Sequence, residues 1–177
     1  MALLDIHLLG SPALRKRAAE VTEFDDELRQ FIDDLFETMD AAEGVGLAAN
    51  QVGVTQRVAV VGIDDDRFVM VNPVLSALEG RVRGEEGCLS LPDVSGEVIR
   101  AERLVLEALD RDGKPYRREL DGYTARAVQH EVDHLDGVMF FDHLSLLKRE
   151  LLLRRWKKDN PNAGLTRKIA PKTAQQP

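Results

Sequence analysis

Apolar residues are spaced along this chain in two rhythms, and the switches between them predict its elements. From Asp25 to Ala42, Leu28, Phe31, Ile32, Leu35, Phe36 and Met39 recur at three- and four-residue intervals. That spacing places them on one face of a helix. Thr22 or Asp25 can cap its start and Gly44 can end it. A glycine-rich loop, 44–53, follows. Arg57–Ile63 (RVAVVGI) is rich in β-branched residues and predicts a buried strand. Phe68–Val71 predicts another, broken by Asn72-Pro73.

From Arg81 to Arg100 the pattern is irregular, with short extended pieces around Cys88-Leu-Ser-Leu-Pro92. Leu104–Leu109 and Pro115–Leu120 flank Asp110-Arg-Asp-Gly113, the arrangement of a β-hairpin. Helical spacing returns from Tyr123 to Leu135, stopping before Gly137, and again from Ser145 to Lys158, stopped by Asn160-Pro161. Beyond Asn162 the sequence is polar. With no internal repeat and no linker, the prediction is a single α+β domain over residues 1–160, with antiparallel strands around a central helix and a C-terminal helix. Residues 161–177 are expected to be a polar, flexible tail.

Composition narrows the class. At 177 residues, with 44% hydrophobic and 31% charged residues, the chain suits one globular unit with one core. No apolar run approaches the roughly 20 residues of a membrane span. The first ten residues carry Asp5 and no basic leader, unlike a targeting segment. A lone cysteine excludes an intrachain disulfide framework and fits a reducing, cytoplasmic setting. Net charge is −7 overall, yet from Lys148 onward nine Lys and Arg face only Glu150 and Asp159. This end therefore carries +7 and residues 1–147 carry −14. An acidic body argues against DNA binding, while the basic end suits either a solvated helix face or an anionic partner.

The strongest chemical signal is Gln129-His130-Glu131-Val132-Asp133-His134, an H-E-x-x-H on a predicted helix. Residues four apart lie one turn apart on one face, so both imidazoles can reach one ion. Glu131 can then serve as general base toward a water on that ion. Two histidines do not complete a site. Downstream, Asp136, Asp142, His143 and Glu150 offer no familiar ligand spacing. Upstream, Cys88 sits in a glycine-punctuated turn, and a thiolate is a strong ligand for zinc or ferrous iron. Alone, a free cysteine is more often a small buried hydrophobe; beside an incomplete two-histidine site, the ligand reading is favoured.

Gly44-Val45-Gly46-Leu47-Ala48-Ala49-Asn50-Gln51 superficially matches a dinucleotide fingerprint, but a helix rather than a strand precedes it. The glycines better suit close approach of backbone to a ligand, with Gln51 as either an amide donor or a surface residue.

Together, GVGLAANQ (44–51), EGCLS (86–90) and QHEVDH (129–134) resemble the peptide deformylase family, and the likeness extends from Gly10-Ser-Pro-Ala-Leu-Arg15 to about Leu144. The resemblance implies Cys88, His130 and His134 as ligands of one divalent metal, Fe2+ in the cell, with Zn2+ or Ni2+ possible after purification. It implies Glu131 as proton shuttle, and the Gln51 amide and Leu89 N–H as oxyanion donors. The substrate implied is the N-formyl-methionine end of a nascent polypeptide. Val45 and Gly46 would pair with its backbone, and Tyr123, Arg126 and Ala127 would wall a methionine pocket. The basic helix 145–158 resembles one that docks some members on the ribosome. Many bacterial members carry an arginine where Ser95 stands, which bears on substrate entry. The competing reading is a zinc endopeptidase of the HExxH type, which requires a downstream third ligand.

Overall fold

A computed structural model describes residues 2–172. Its elements are β1 (Ile6–His7), α1 (Asp26–Ala41), β2 (Gly46–Ala48), β3 (Val58–Ile63), β4 (Asp66–Glu79), β5 (Val82–Cys88), β6 (Leu91–Arg100), β7 (Arg103–Leu109), β8 (Pro115–Asp121), α2 (Gly122–Leu135), α3 (Leu146–Asp159) and β9 (Thr166–Arg167). Five strands form an antiparallel sheet in the order β2-β3-β4-β7-β8, while β5-β6 and β1-β9 are separate two-stranded pairs. This is the expected α+β domain.

The sheet is covered on both faces, which explains why β3 reads as a continuous apolar run. Val58 and Val60 point to one face and join Leu28, Ile32, Leu35 and Met39 of α1. Ala59 and Val61 point to the other and join Ala125, Val128 and Leu135 of α2. The period-2 alternation of a strand sends successive side chains to opposite faces, so each helix receives every second residue. The α1 prediction is accurate to one residue at each end. Asp25, not Thr22, is the cap and accepts from Leu28 N at 2.9 Å. Glu43 takes the left-handed turn (φ 59) and Gly44 N–H closes on Met39 O.

Two strand predictions are corrected. Asn72-Pro73 does not end β4; the strand passes through it with a register shift between Val71 and Val74. Asn72 sits at φ 51, and its side chain bonds the Val21 N–H (2.8 Å) and carbonyl (2.9 Å), stapling the bulge to the N-terminal segment. A bulge is where proline's missing donor costs least. The 81–100 region is a long regular hairpin, paired from Val82↔Arg100 to Gly87↔Ser95 and closing at Cys88↔Leu91 after a further register shift.

In the described part of the polar tail expected over 161–177, the chain returns to the N-terminal segment. After α3, Leu165 O accepts from Leu8 N (2.8 Å), β9 pairs antiparallel with β1, and Ile169 packs on the α1 cluster. The end of that tail, 173–177, lies outside the described residues. α3 lays Leu152 and Trp156 onto the β5-β6 hairpin and the Phe140–His143 turn, leaving Leu146, Leu147 and Leu151 exposed. Among the described residues no helix is long and apolar enough to cross a membrane.

Candidate metal centre

The site forms where α2, the edge strand β2 and the tip of the β5-β6 hairpin meet. α2 is the central helix, with nine of its fourteen residues buried. His130 and His134 project from one face and their Nε2 atoms lie 3.1 Å apart. Cys88, at the end of β5, brings its Sγ to 3.3 Å from His134 Nε2. The three ligand atoms all lie within 4.8 Å of one another. One thiol and two imidazoles converging at this spacing suit a single ion such as zinc or ferrous iron.

The two histidines differ in their electrostatic surroundings. Burial works against a proton on His130, yet the Cys88 thiol and Glu86 carboxylate beside it push its pKa well up. Burial and the neighbouring His130 push His134 well down.

Behind the histidines lies a hub that sequence reasoning missed. Glu86 Oε1 accepts from His130 Nδ1 (2.9 Å) and Arg100 Nη2 (2.8 Å), and its Oε2 from Arg100 Nε (2.9 Å) and Arg126 Nη1 (2.6 Å). Burial alone would raise its pKa, but Arg100 and His130 hold it far below the ordinary carboxylate range. With Nδ1–H donated to Glu86, Nε2 is left available on the side of the Cys88–His134 cluster. The only advance signal was Glu86's place beside Cys88. Arg126 completes its bonding on the Val98 and Val82 carbonyls (2.9 and 2.7 Å), so its guanidinium braces the hairpin while the side chain lines the cavity.

Gln51, one of the ambiguous positions in the sequence, is fully buried. Its Oε1 accepts from Ala48 N (3.0 Å), which aims Nε2 at Ser90 Oγ (3.2 Å) and Cys88 Sγ (3.4 Å). Glu131 is also buried, and its Oε2 has no partner among the described residues. Burial pushes its carboxyl up to about 7. Gly46 is the reason it fits: a Cβ there would stand 2.8 Å from Glu131 Cγ and Cδ. A glycine is required by this close approach.

These groups open into a cavity of about 420 Å3 lined by Val45, Gly46, Gln51, Cys88, Leu89, Tyr123, Arg126, Ala127, His130 and Glu131 among others. Every cavity residue expected from the sequence is thus brought together, with His134 immediately behind. Ser95 is not among the lining residues; its hydroxyl donates to Oε2 of Glu85, which is, at 2.7 Å. The downstream alternatives are engaged elsewhere: Asp136 with Arg57, Asp142 with Arg15, and His143 with Asp133, while Glu150 is exposed on α3.

A Cys-His-His cluster built on an HExxH helix, its histidines buried and its cysteine half-buried, with an unpartnered carboxylate and an amide donor in one cavity, has the make-up of a mononuclear metallohydrolase. The polypeptide deformylase family matches residues 3–150, and the chain belongs to that family, whose members are metal-dependent hydrolases. It is 48% identical over 162 residues to a peptide deformylase of Alkalilimnicola ehrlichii, covering 89% of this chain and 91% of that one. A peptide deformylase of Chromohalobacter salexigens is 49% identical over 162 residues, covering 89% and 95%. Among solved structures, a Legionella pneumophila peptide deformylase superposes with a TM-score of 0.87 at 42% identity, covering 90% of this chain and 96% of that one. The Synechococcus elongatus enzyme in complex with actinonin gives 0.83 at 38%, covering 90% and 89%.

Proposed function

We propose that this protein removes the formyl group from the N-terminal formyl-methionine of newly made polypeptides, releasing formate. The observation that carries the proposal is the convergence of Cys88, His130 and His134 beside Glu131 and Gln51 in one cavity.

In this reading Cys88, His130 and His134 hold one divalent ion. The ion supplies Lewis acidity and activates a water at neutral pH. Fe2+ is the metal we propose for the cell, as the family resemblance implies, and a thiolate with two imidazoles is compatible with it; Zn2+ or Ni2+ could replace it on purification. Glu131 takes the proton as the water oxygen attacks the formyl carbon, and delivers it to the amine as the C–N bond breaks. An unpartnered carboxylate with a raised pKa is suited to both halves of that transfer. The Gln51 Nε2–H and the Leu89 backbone N–H stabilise charge developing on the formyl oxygen, and Gln51 is already fixed by its bond from Ala48, so no reorganisation is needed.

The substrate backbone adds to β2, the edge strand of the five-stranded sheet, at Val45 and Gly46. Tyr123, Arg126 and Ala127, one to two turns before His130, wall the methionine side chain. Formylated nascent chains place the protein in the cytoplasm, and the basic α3 is the face proposed to meet the ribosome. A chain ending near Leu144 that stays folded yet binds ribosomes as tightly as full length would refute that docking.

The test of activity is formate release from a formyl-Met peptide by the anaerobically prepared protein, with metal content measured in parallel. Glu131→Ala is expected to keep its metal and lose turnover. Cys88→Ala is expected to lose the metal itself, which an endopeptidase with a downstream ligand would not.

A further inference from the structure

The C-terminal segment reaches the same cavity. β9 is held against β1 by the pairs Ile6↔Arg167 and His7↔Thr166. Two residues on, Ile169 packs in the cluster that contains Ala42 and Leu89, and both of those line the cavity. The side chain of Arg167 accordingly lies on the cavity wall. It is half-buried, its Nε is shielded from solvent, and it has no hydrogen-bond or ion-pair partner among the described residues.

Its surroundings make that notable. The other cavity arginine, Arg126, is engaged with Glu86 and two carbonyls. The remaining charges toward solvent are acidic: Glu43 and Asp93 are exposed at the rim, and Glu85 accepts from Ser95. Arg167 is therefore an unengaged cation in an otherwise anionic mouth. A planar guanidinium with free N–H groups matches a carboxylate in bidentate fashion. The inner end of the cavity is occupied by the reacting groups, so a ligand for Arg167 belongs to the part of the substrate that trails outward.

We propose that Arg167 is a specificity-determining residue that binds a carboxylate side chain a few residues downstream of the formylated end of the peptide. The inference rests on the deformylase reading above. Removing Arg167 leaves Glu43 and Asp93 to dominate the mouth, which turns the preference toward basic peptides. A partly exposed charge pair of this kind shifts discrimination by up to about fivefold.

The experiment uses the full-length, metal-loaded protein and formyl-Met peptides carrying Glu or Lys at the second, third or fourth position. The readout is the Glu-to-Lys ratio of kcat/KM for formate release. At one of the three positions, Arg167→Ala is expected to lower that ratio by up to about fivefold, and Arg167→Glu to lower it further until Lys is preferred. Arg167→Lys is expected to keep part of it, and salt to erode it in the wild type. A merely structural role would slow both peptides alike and leave the ratio unmoved. Ratios within twofold of wild type at all three positions, or loss of all turnover in all three variants, would overturn the proposal. Absence of formate from every peptide with the wild-type protein would instead refute the deformylase reading itself.

Discussion

Gly46→Ala tests the positioning of Glu131 without replacing the carboxylate or any proposed metal ligand. The added Cβ would stand 2.8 Å from Glu131 Cγ and Cδ, where ordinary contact begins at 3.4 Å. Something must therefore move by about 0.6 Å, and the carboxylate oxygen is closer still. Gly46 is part of β2, pinned to β3 by the Gly46↔Val61 pairing, and so cannot retreat easily. Glu131 is the member that yields, because it is a side chain with rotatable bonds rather than backbone. Misplacing a catalytic group by up to an ångström costs on the order of 100-fold, equivalent to about 2.7 kcal/mol of barrier. The strain should cost stability only about 1–3 kcal/mol. The assay is formate release under single-turnover and steady-state conditions, with metal content and thermal unfolding measured on the same preparation. The expected result is a kcat lowered about 100-fold with the metal retained. A variant keeping more than a third of wild-type kcat would refute the reasoning, since the crowding would then be relieved without moving the proton-transfer group. Loss of the metal would refute it too, by showing that the residue acts through the ligands.

Glu86→Gln removes the charge that binds Arg100, Arg126 and His130 together. Leaving buried cations unpaired should cost about 3–5 kcal/mol, read from urea unfolding of the metal-loaded protein. The lost His130 contact should weaken metal binding about 10- to 100-fold, read by competition with a chelator. In the Phe140–His143 turn, the Asp142 carboxyl is partly desolvated, which would raise its pKa, but Arg15 and the Met139 N–H hold it below the ordinary value. A depressed folded pKa contributes stability above the unfolded value of about 4 that is lost as pH falls through the folded one. Asp142→Asn should therefore destabilise the protein at neutral pH and flatten the acid side of its stability profile. Parallel acid-limb profiles for the variant and wild type would contradict this.

The HExxH pair was legible because its information is local: a four-residue spacing on a helix puts both imidazoles on one side whatever the rest of the chain does. The α1 face was legible for the same reason, and the apolar run of β3 already implied burial on both sides. Cys88 and Gln51 were visible as residue types, but their roles depended on contacts across 37 to 46 positions, which no local period encodes. The β5-β6 hairpin was missed because its alternating positions are largely charged or glycine and only one side is packed, so the hydrophobic rhythm is faint. Its regularity comes from pairing and from the Arg100-Glu86-Arg126 brace. Glu86 itself was only the first letter of the EGCLS motif, with no role of its own, until the fold placed a histidine and two arginines around it. The return of the C-terminal segment was equally silent, because Thr166–Arg167 gains strand structure only from β1, some 160 residues earlier in the chain. Residue spacing thus sufficed for the ion and its nearest helix, whereas the groups that orient the ligands, crowd Glu131 and line the cavity mouth meet only when distant segments pack.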